Sequence, residues 1–192
     1  AYFDVAPGDV PRVASAILAD HAGGLIALTG GHAGPLDSAF RAGRGAFATR
    51  RLEQLAEAFG DRLYVEIQRH GLDTQRVVEA ELIGLADRMG LPLVATNEPF
   101  FAKADDHEAH DALLAIAAGR LVSDDDRRRL TAEHRFKTRA EMQTLFKDLP
   151  DALASSVEIA MRCAFRVRTR KPILPSFGTG LAETAMDEAA EL

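Results

Sequence analysis

Two short apolar runs, each ending in polar residues, constrain the fold of this chain more than any other feature. The first is Leu63-Tyr-Val-Glu-Ile-Gln-Arg-His-Gly71, and the second, about one helix later, is Pro92-Leu-Val-Ala-Thr-Asn-Glu98. Both runs favour strands, and the segment between them has a helical period. A strand–helix–strand unit predicts two parallel strands, so residues 68–71 and 96–101 should lie at the same carboxyl edge. That edge is where α/β sheets and barrels build their sites.

The residues before this unit predict two helices and another strand. Residues 7–20 and 48–59 carry apolar residues at three- and four-residue spacings, which is typical of amphipathic helices. Residues 25–29 form an apolar run that is stopped by two glycines, and we expect a buried strand there. The helix between the two main strands should run from Thr74 to Met89, with Val77, Val78 and Leu82 on its inward face. This alternation predicts a parallel sheet or a sector of a barrel.

Beyond residue 101 the sequence predicts mostly helix. Residues 105–118 carry their apolar residues on one side of a predicted helix, and the charge run 124–129 is typical of a solvated face or loop. Thr138-Arg-Ala-Glu141 has the spacing of a capping box, which marks a helix start. Pro150 can open the next helix, because proline is favoured in the first turn.

Composition limits the possible classes of protein. With 192 residues and 47% hydrophobic content, the chain can bury a core as one domain. No run reaches the ~20 apolar residues of a membrane span, and the single cysteine, Cys163, fits a small core residue in a reducing cytoplasm. The net charge of −6 predicts weak binding to DNA by this segment alone. Because the chain begins at Ala1 without a start signal, we expect it to be a piece of a longer protein.

Three stretches carry a family resemblance. The runs YVEIQRHG, PLVATNE and EMQTLFKDLPDALASSVEIAMRCAF closely resemble the alpha subunit of bacterial DNA polymerase III, within its N-terminal polymerase-and-histidinol-phosphatase (PHP) domain. The resemblance extends from about Leu25 to Phe177. It implies an α/β fold, a sector of a distorted (β/α)7 TIM-like barrel, over residues 1–103. A helical extension over residues 104–175 and a linker over residues 176–192, toward the following polymerase domain, complete the expected organisation.

The resemblance also points to candidate metal ligands. His70 matches a histidine of the metal cluster in active PHP domains, and Glu98 stands where the family carries an aspartate. Phe100 replaces a family histidine and cannot coordinate a metal, and the chain contains no His-x-His motif. We therefore interpret His70 and Glu98 as vestigial metal ligands, expect no catalytic residue and no bound cofactor, and expect Phe100 to turn inward and fill the vacated space.

Three further groups leave alternatives open or carry weak signals. Glu66 is either the structural partner of a basic residue in the barrel or a site residue. The glycine-rich run Thr29–Gly34 invites a phosphate loop, but it lacks the Lys-Ser/Thr of a P-loop, and the resemblance makes it a turn after a barrel strand. His107 and His110 have a spacing that could bind a metal, although solvent-facing positions explain them better.

The resemblance implies a DNA-directed DNA polymerase, a Mg²⁺-dependent nucleotidyltransferase, as the parent protein. The segment itself is interpreted as a degenerate PHP domain with a structural role that docks other polymerase domains and subunits, the proofreading exonuclease subunit among them. The alternative is an active metal-dependent phosphoesterase, either a 3′–5′ exonuclease or a pyrophosphatase. A stand-alone phosphatase of the same superfamily is the third possibility, and the polymerase-like tail over residues 136–168 argues against it.

Overall fold

A three-stranded parallel sheet forms the centre of the fold in a computed structural model, which describes residues 13–170. Strand β1 spans Ala27–Leu28, β2 spans Leu63–Gln68 and β3 spans Leu93–Thr96. The strand order is β1-β2-β3, and both pairings are parallel. The predicted α/β class with a parallel sheet is therefore confirmed, whereas closure into a barrel stays a prediction.

Seven α-helices surround the sheet within the described part of the chain. They are α1 (Ser15–Asp20), α2 (Pro35–Arg41), α3 (Gly45–Phe59), α4 (Asp73–Met89), α5 (His107–Ala118), α6 (Arg139–Leu145) and α7 (Pro150–Arg162). Short 3₁₀ turns lie at Gly31–Ala33, Gly60–Arg62, Ala104–Asp106 and Ala132–His134. None of the helices among residues 13–170 has the length and apolarity that a membrane crossing requires.

The core lies between one face of the sheet and the helices that cover it. Leu63, Val65 and Ile67 alternate along β2 and are almost fully buried, as the two-residue period of a strand requires. Helices α3 and α4 contribute the apolar stripes predicted from their spacing, and α6 adds the buried Phe146 at its end. Helix α7 packs against β3, and its own buried residues are small, which permits close approach.

Local signals predicted most element boundaries. Strand β2 has the predicted bounds, and Thr138 caps α6 with Glu141 as its capping-box partner. Thr74, the predicted cap of α4, lies inside the helix, which begins at Asp73 after Leu72 and ends where Gly90 takes a left-handed φ of 63°. The predicted strand over residues 25–29 is reduced to two residues, although the Thr29 N–H still donates to the Tyr64 carbonyl at 3.2 Å.

Several burial predictions were wrong. Cys163 is exposed rather than a core residue, and Val77 on α4 is 74% exposed. The stripe on α5 faces solvent, with Ile116 75% exposed. The charge run 124–129 is not wholly solvated, because the Arg127 side chain is buried and forms a bidentate ion pair with Asp111 at 2.5 and 2.6 Å.

The compact unit that contains the sheet ends at Arg162. The boundary predicted between residues 103 and 104 falls inside this unit and stays a prediction. In the second unit, the described residues 163–170 are exposed and have no regular secondary structure. The predicted linker 176–192 and the first half of the predicted helix 7–20 lie outside the described residues.

Candidate functional site at the carboxyl edge of the sheet

The predicted edge is densely polar. Glu66 and Gln68 alternate with the core residues of β2, so both side chains lie on the face of the sheet opposite Val65 and Ile67. Parallel pairing places Gln68 beside Thr96, the last residue of β3. The carboxyl ends of the strands therefore converge as the strand–helix–strand pattern predicted.

The Glu66 carboxylate accepts hydrogen bonds from β2, from β3 and from the turn after β1. One carboxylate oxygen accepts the Gly30 N–H at 3.0 Å, and the other accepts the Thr96 hydroxyl at 2.5 Å and the Gln68 amide at 3.2 Å. The Glu66 N–H in turn donates to the Thr29 hydroxyl at 2.9 Å. The structure thus favours the structural reading of Glu66, with hydroxyl, amide and backbone donors in place of the expected basic partner.

Other atoms of the protein occupy the space beside the glycine-rich turn after β1. A side chain at Gly31 would overlap the Gln68 amide, and one at Gly34 would overlap the Thr29 carbonyl oxygen. The His32 N–H donates to the Gln68 side-chain oxygen at 3.3 Å, so backbone donors of the turn are engaged internally. This geometry is that of a tightly packed turn, not of a cradle open to an anion.

Asp37 on α2 adds a second carboxyl group to this region and is 5% exposed. Burial, with a smaller contribution from the nearby Glu66 charge, raises its pKa to about 6 against the opposing effect of Arg41. We call Thr29, Asp37, Glu66, Gln68 and Thr96 the carboxylate network. It is a region in which the protein satisfies negative charge with its own donors.

His70 lies just past β2, as predicted, but it is 1% exposed and its ring is engaged. The Gln75 side-chain oxygen accepts the His70 backbone N–H at 2.8 Å. This contact places the Gln75 amide nitrogen 3.2 Å from Nδ1 of the His70 ring. The Gln75 amide N–H group therefore faces Nδ1, and the Glu98 backbone N–H donates to Nε2 at 3.4 Å. Both ring nitrogens of His70 are engaged by the protein itself.

His134 stacks on His70 and forms what we call the histidine pair. Their ring centroids are 4.0 Å apart with an interplanar angle of 14°, and both residues are buried. Thr131 holds both members, because its hydroxyl donates to the His70 carbonyl at 2.6 Å and its N–H donates to His134 Nδ1 at 3.2 Å. Burial is the main cause of a lowered pKa for each ring, to about 4 for His70. Both rings are therefore neutral at pH 7.

Lys137 places a buried ammonium group beside the histidine pair. Its side chain is 3% exposed, and Nζ lies 3.3 Å from the Glu133 carboxylate and 3.4 Å from Asn97 Oδ1. The Lys137 charge also lowers the pKa of both His70 and His134. This end of the sheet edge therefore carries a fixed positive charge.

Residues 131–137 reach the edge because they run alongside the continuation of β3. The Phe100 N–H donates to the His134 carbonyl at 2.9 Å, and the Phe136 N–H donates to the Phe101 carbonyl at 2.8 Å. Sequence reasoning missed Gln75, His134 and Lys137 as parts of the site. No periodic pattern marks the segment, and only the capping box at Thr138 signals where it ends.

The two predicted metal ligands are adjacent but do not converge through their side chains. Glu98 approaches His70 through its backbone nitrogen, while the residue itself is exposed. Among residues 13–170, no three His, Cys, Asp or Glu side chains are grouped so that they could hold a metal ion. The role of His70 and Glu98 as vestigial ligands stays a prediction.

The inward orientation expected for Phe100 was wrong. The residue is 37% exposed, and the Arg128 guanidinium lies over its ring at 5.1 Å. The rings of His110 and His134 flank it, with centroids 5.7 and 6.1 Å away. Phe100 therefore covers the outer side of the histidine pair instead of filling a vacated ligand position.

The two histidines of α5 that have metal-like spacing make local contacts. The His107 ring donates from Nε2 to the Leu130 carbonyl at 2.8 Å, which fixes the loop before the 131–137 segment. His107 and His110 each pack against Phe101, with centroid distances of 5.9 and 5.4 Å. Both residues are half-buried in these contacts, so the predicted solvent-facing positions were wrong, and the contacts favour a structural role.

Comparison with known proteins identifies relatives over the whole chain. The profile of the PHP domain family matches residues 1–70. The DNA polymerase III subunit alpha of Caulobacter vibrioides is 50% identical over 192 residues, which is 100% of this chain and 16% of the relative. The corresponding subunits of Rickettsia bellii and Pseudomonas aeruginosa are 39% and 42% identical, over 84% and 81% of this chain and over 14% and 13% of their own lengths. The chain thus spans about one sixth of the length of the curated relatives it matches.

Proposed function

Because this chain belongs to the family of bacterial DNA polymerase III alpha subunits, as a counterpart of part of their PHP region, we propose that it serves within a replicative DNA polymerase. The 50% identity over all 192 residues carries this proposal. In the longer protein, DNA-directed nucleotidyl transfer with Mg²⁺ is performed by residues outside this chain. Such a protein works on the chromosome, in the cytoplasm.

Within that protein, we infer a structural role for this segment. The observation that carries the inference is the buried Lys137 ammonium beside the neutral histidine pair. A metal cluster needs unprotonated nitrogens and carboxylates that converge, and a fixed positive charge opposes a second cation nearby. The segment holds its sheet edge together with hydrogen bonds where an active relative would use metal ions.

The donors at the edge do not fit a PHP metal cluster. Nδ1 of His70 faces the Gln75 amide, and Nε2 faces the Glu98 backbone N–H. Both oxygens of Glu66 are already used by donors from β2, from β3 and from the turn after β1. Glu98 offers only an exposed carboxylate, and Phe100 offers no donor. No catalytic step through a metal follows from this arrangement.

The second part of the proposed role is docking. A segment that stabilises one end of a large polymerase also presents surface to the other polymerase domains and to other subunits, of which the proofreading exonuclease is the candidate. DNA contacts would come mainly from the rest of the protein, because 29 acidic residues outnumber 23 basic ones here.

A chimera tests the family function. The matching segment of the Caulobacter vibrioides subunit would be replaced by this chain, and primer extension would be measured with Mg²⁺. We expect the chimera to extend primers, and a folded chimera without polymerase activity would contradict the proposal. The structural role has a separate test, in which the isolated chain is assayed with Mn²⁺ on p-nitrophenyl phosphate. Hydrolysis that is abolished by His70→Ala would contradict that role.

A further inference from the structure

A groove between α6 and α7 forms an apolar depression in the described surface. It has a volume of about 730 Å³ and reaches down to Ala95 of β3. The buried Phe146 forms part of its floor, and Val157, which is 60% exposed, forms part of its wall. Met142 and Leu153 are half-buried between them. A surface of this kind exposes apolar side chains that a partner could cover.

The charges around this α6–α7 groove have one sign. Lys137, Arg139 and Lys147 line it, and no carboxylate does so among the described residues. Lys137 is ion-paired with Glu133, but Arg139 and Lys147 form no ion pair with any residue in the range 13–170. Such a rim stands out in a chain whose net charge is −6.

The chemistry changes at the far end of the groove. The apolar surface continues along α7 from Val157 to Met161, which is 73% exposed. Asp151, Glu158 and Arg162 border this continuation, and Glu158 is paired with Arg162 at 3.7 Å. The charges there are mixed, so the rim with charges of a single sign lies at the α6 end of the groove.

We propose that the α6–α7 groove binds an amphipathic segment of a partner protein, with acidic residues beside its apolar side chains at the α6 end. The proposal rests on the docking role inferred above and assigns it a surface. Apolar side chains would cover Met142, Leu153 and Val157, and carboxylates would pair with Arg139 and Lys147. Charge complementarity at such a rim selects the partner more than it adds affinity, and the apolar contacts supply the anchor.

Synthetic helical peptides test this directly against the full chain. Three peptides share one apolar face and carry Glu, Gln or Lys at the flanking positions of one end. Binding is followed by fluorescence anisotropy, and the bound surface is mapped by amide chemical shifts. We expect the Glu peptide to bind at least about tenfold more tightly than the Lys peptide, with the Gln peptide between them and with shifts centred on residues 139–157.

Charge reversal in the protein gives the matched control. The double variant Arg139→Glu/Lys147→Glu should weaken binding of the Glu peptide about tenfold or more. It should bind the Lys peptide more tightly than the Glu peptide, the reverse of the wild-type preference. The variant Arg50→Glu/Arg76→Glu, which makes the same charge change on α3 and α4, should leave binding unchanged. Both variants change only exposed positions, so circular dichroism should show that each remains folded.

Three outcomes would overturn the proposal. One is that none of the peptides binds, and another is that the three bind equally. The third is a wild-type dimer that the groove variant dissociates, because it would assign the groove to a second copy of the chain. The primer-extension test of the chimera does not depend on any of these results, so failure of the groove would be distinguishable from failure of the polymerase assignment.

Discussion

The carboxylate network and the histidine pair lie at the same sheet edge but bury opposite kinds of charge. The network gathers Asp37 and Glu66 on the β1 side, and hydroxyl, amide and backbone donors satisfy Glu66. The pair keeps two neutral rings beside the Lys137 ammonium on the β3 side. One half of the edge thus buries carboxyl groups, and the other buries an ammonium group that is paired with Glu133.

The difference shows how one edge can be stable without a bridging cation. Buried charge is costly unless it is paired or hydrogen-bonded. Glu66 meets this condition through donors on neighbouring strands, whereas His70 and His134 meet it by staying neutral. Substitutions in the carboxylate network should therefore affect the free energy of unfolding and its pH dependence differently from substitutions in the histidine pair.

The largest effect should come from the turn that closes the carboxylate network. A methyl group at Gly34 would overlap the backbone oxygen of Thr29, which cannot move without displacing β1. We expect Gly34→Ala to lower the free energy of unfolding by about 3 kcal/mol or more, as overpacking against a fixed neighbour does. Urea unfolding measures the change. The control Gly23→Ala meets nothing within 4 Å and should be nearly neutral, and equal stabilities of the two variants would contradict the account.

Removal of His70 tests the other half. His70→Ala leaves a cavity beside His134 and removes the ring partner of the Gln75 amide nitrogen, while the Gln75 oxygen keeps the backbone N–H of residue 70. We expect a loss of about 2–4 kcal/mol in unfolding free energy. His21→Ala, at an exposed histidine with one backbone hydrogen bond, should cost well under half of that. Comparable losses in thermal and urea unfolding for the two variants would show that the pair is not a packed element.

The two halves should respond to acid with opposite signs. The His70 pKa is lowered from 6.5 to about 4, so the unfolded chain takes up a proton first and stability falls as the pH drops from about 6.5 to about 4. The Asp37 pKa is raised from 3.8 to about 6, so the folded chain takes up the proton first and stability rises as the pH drops from about 6 to about 3.8.

Variants separate these opposing contributions. Urea unfolding across the range from about pH 7 to about pH 4 should show a steeper acid loss for Asp37→Asn than for wild type. It should show a shallower loss for His70→Asn. Slopes, not absolute stabilities, are compared, so a general destabilisation does not affect the result. Identical slopes in all three proteins would contradict the division of the edge.

The smallest effect should come from Phe100, which covers the histidine pair from outside. Because the residue is 37% exposed, Phe100→Ala should cost about 1 kcal/mol, well below the ~3–5 kcal/mol of a fully buried phenylalanine. Phe100→Leu, which keeps apolar cover but not the contact with Arg128, should cost less. A loss as large as that of His70→Ala, measured by urea unfolding, would place Phe100 in the core after all.

Local signals account for what the sequence predicted correctly. The bounds of β2, the Thr138 capping box and the start of α7 at Pro150 depend on neighbours within a few residues. The position of His70 at the edge also follows from its place after β2. These features depend on period and capping, which a single sequence carries.

The rest depends on contacts between distant residues. His134 and Lys137 reach His70 only because residues 131–137 run beside the end of β3. The stripe on α5 is apolar but exposed. The period of apolar residues indicates which face of a helix is apolar, but it does not show whether other residues of the same chain cover that face. Arg127 is buried because Asp111 on α5 lies opposite it, which the charge run alone could not reveal.

Metal titration tests the central claim, that hydrogen bonds and not a cation hold this edge. Mn²⁺ or Zn²⁺ is titrated calorimetrically into wild type, His70→Ala and Phe100→His, each confirmed as folded beforehand. We predict no tight stoichiometric binding by wild type, and little gain in Phe100→His, because Gln75 still occupies the ring nitrogen of His70 and Lys137 still lies beside it. Tight stoichiometric binding by wild type that is lost in His70→Ala would contradict the account and make this edge a working metal site.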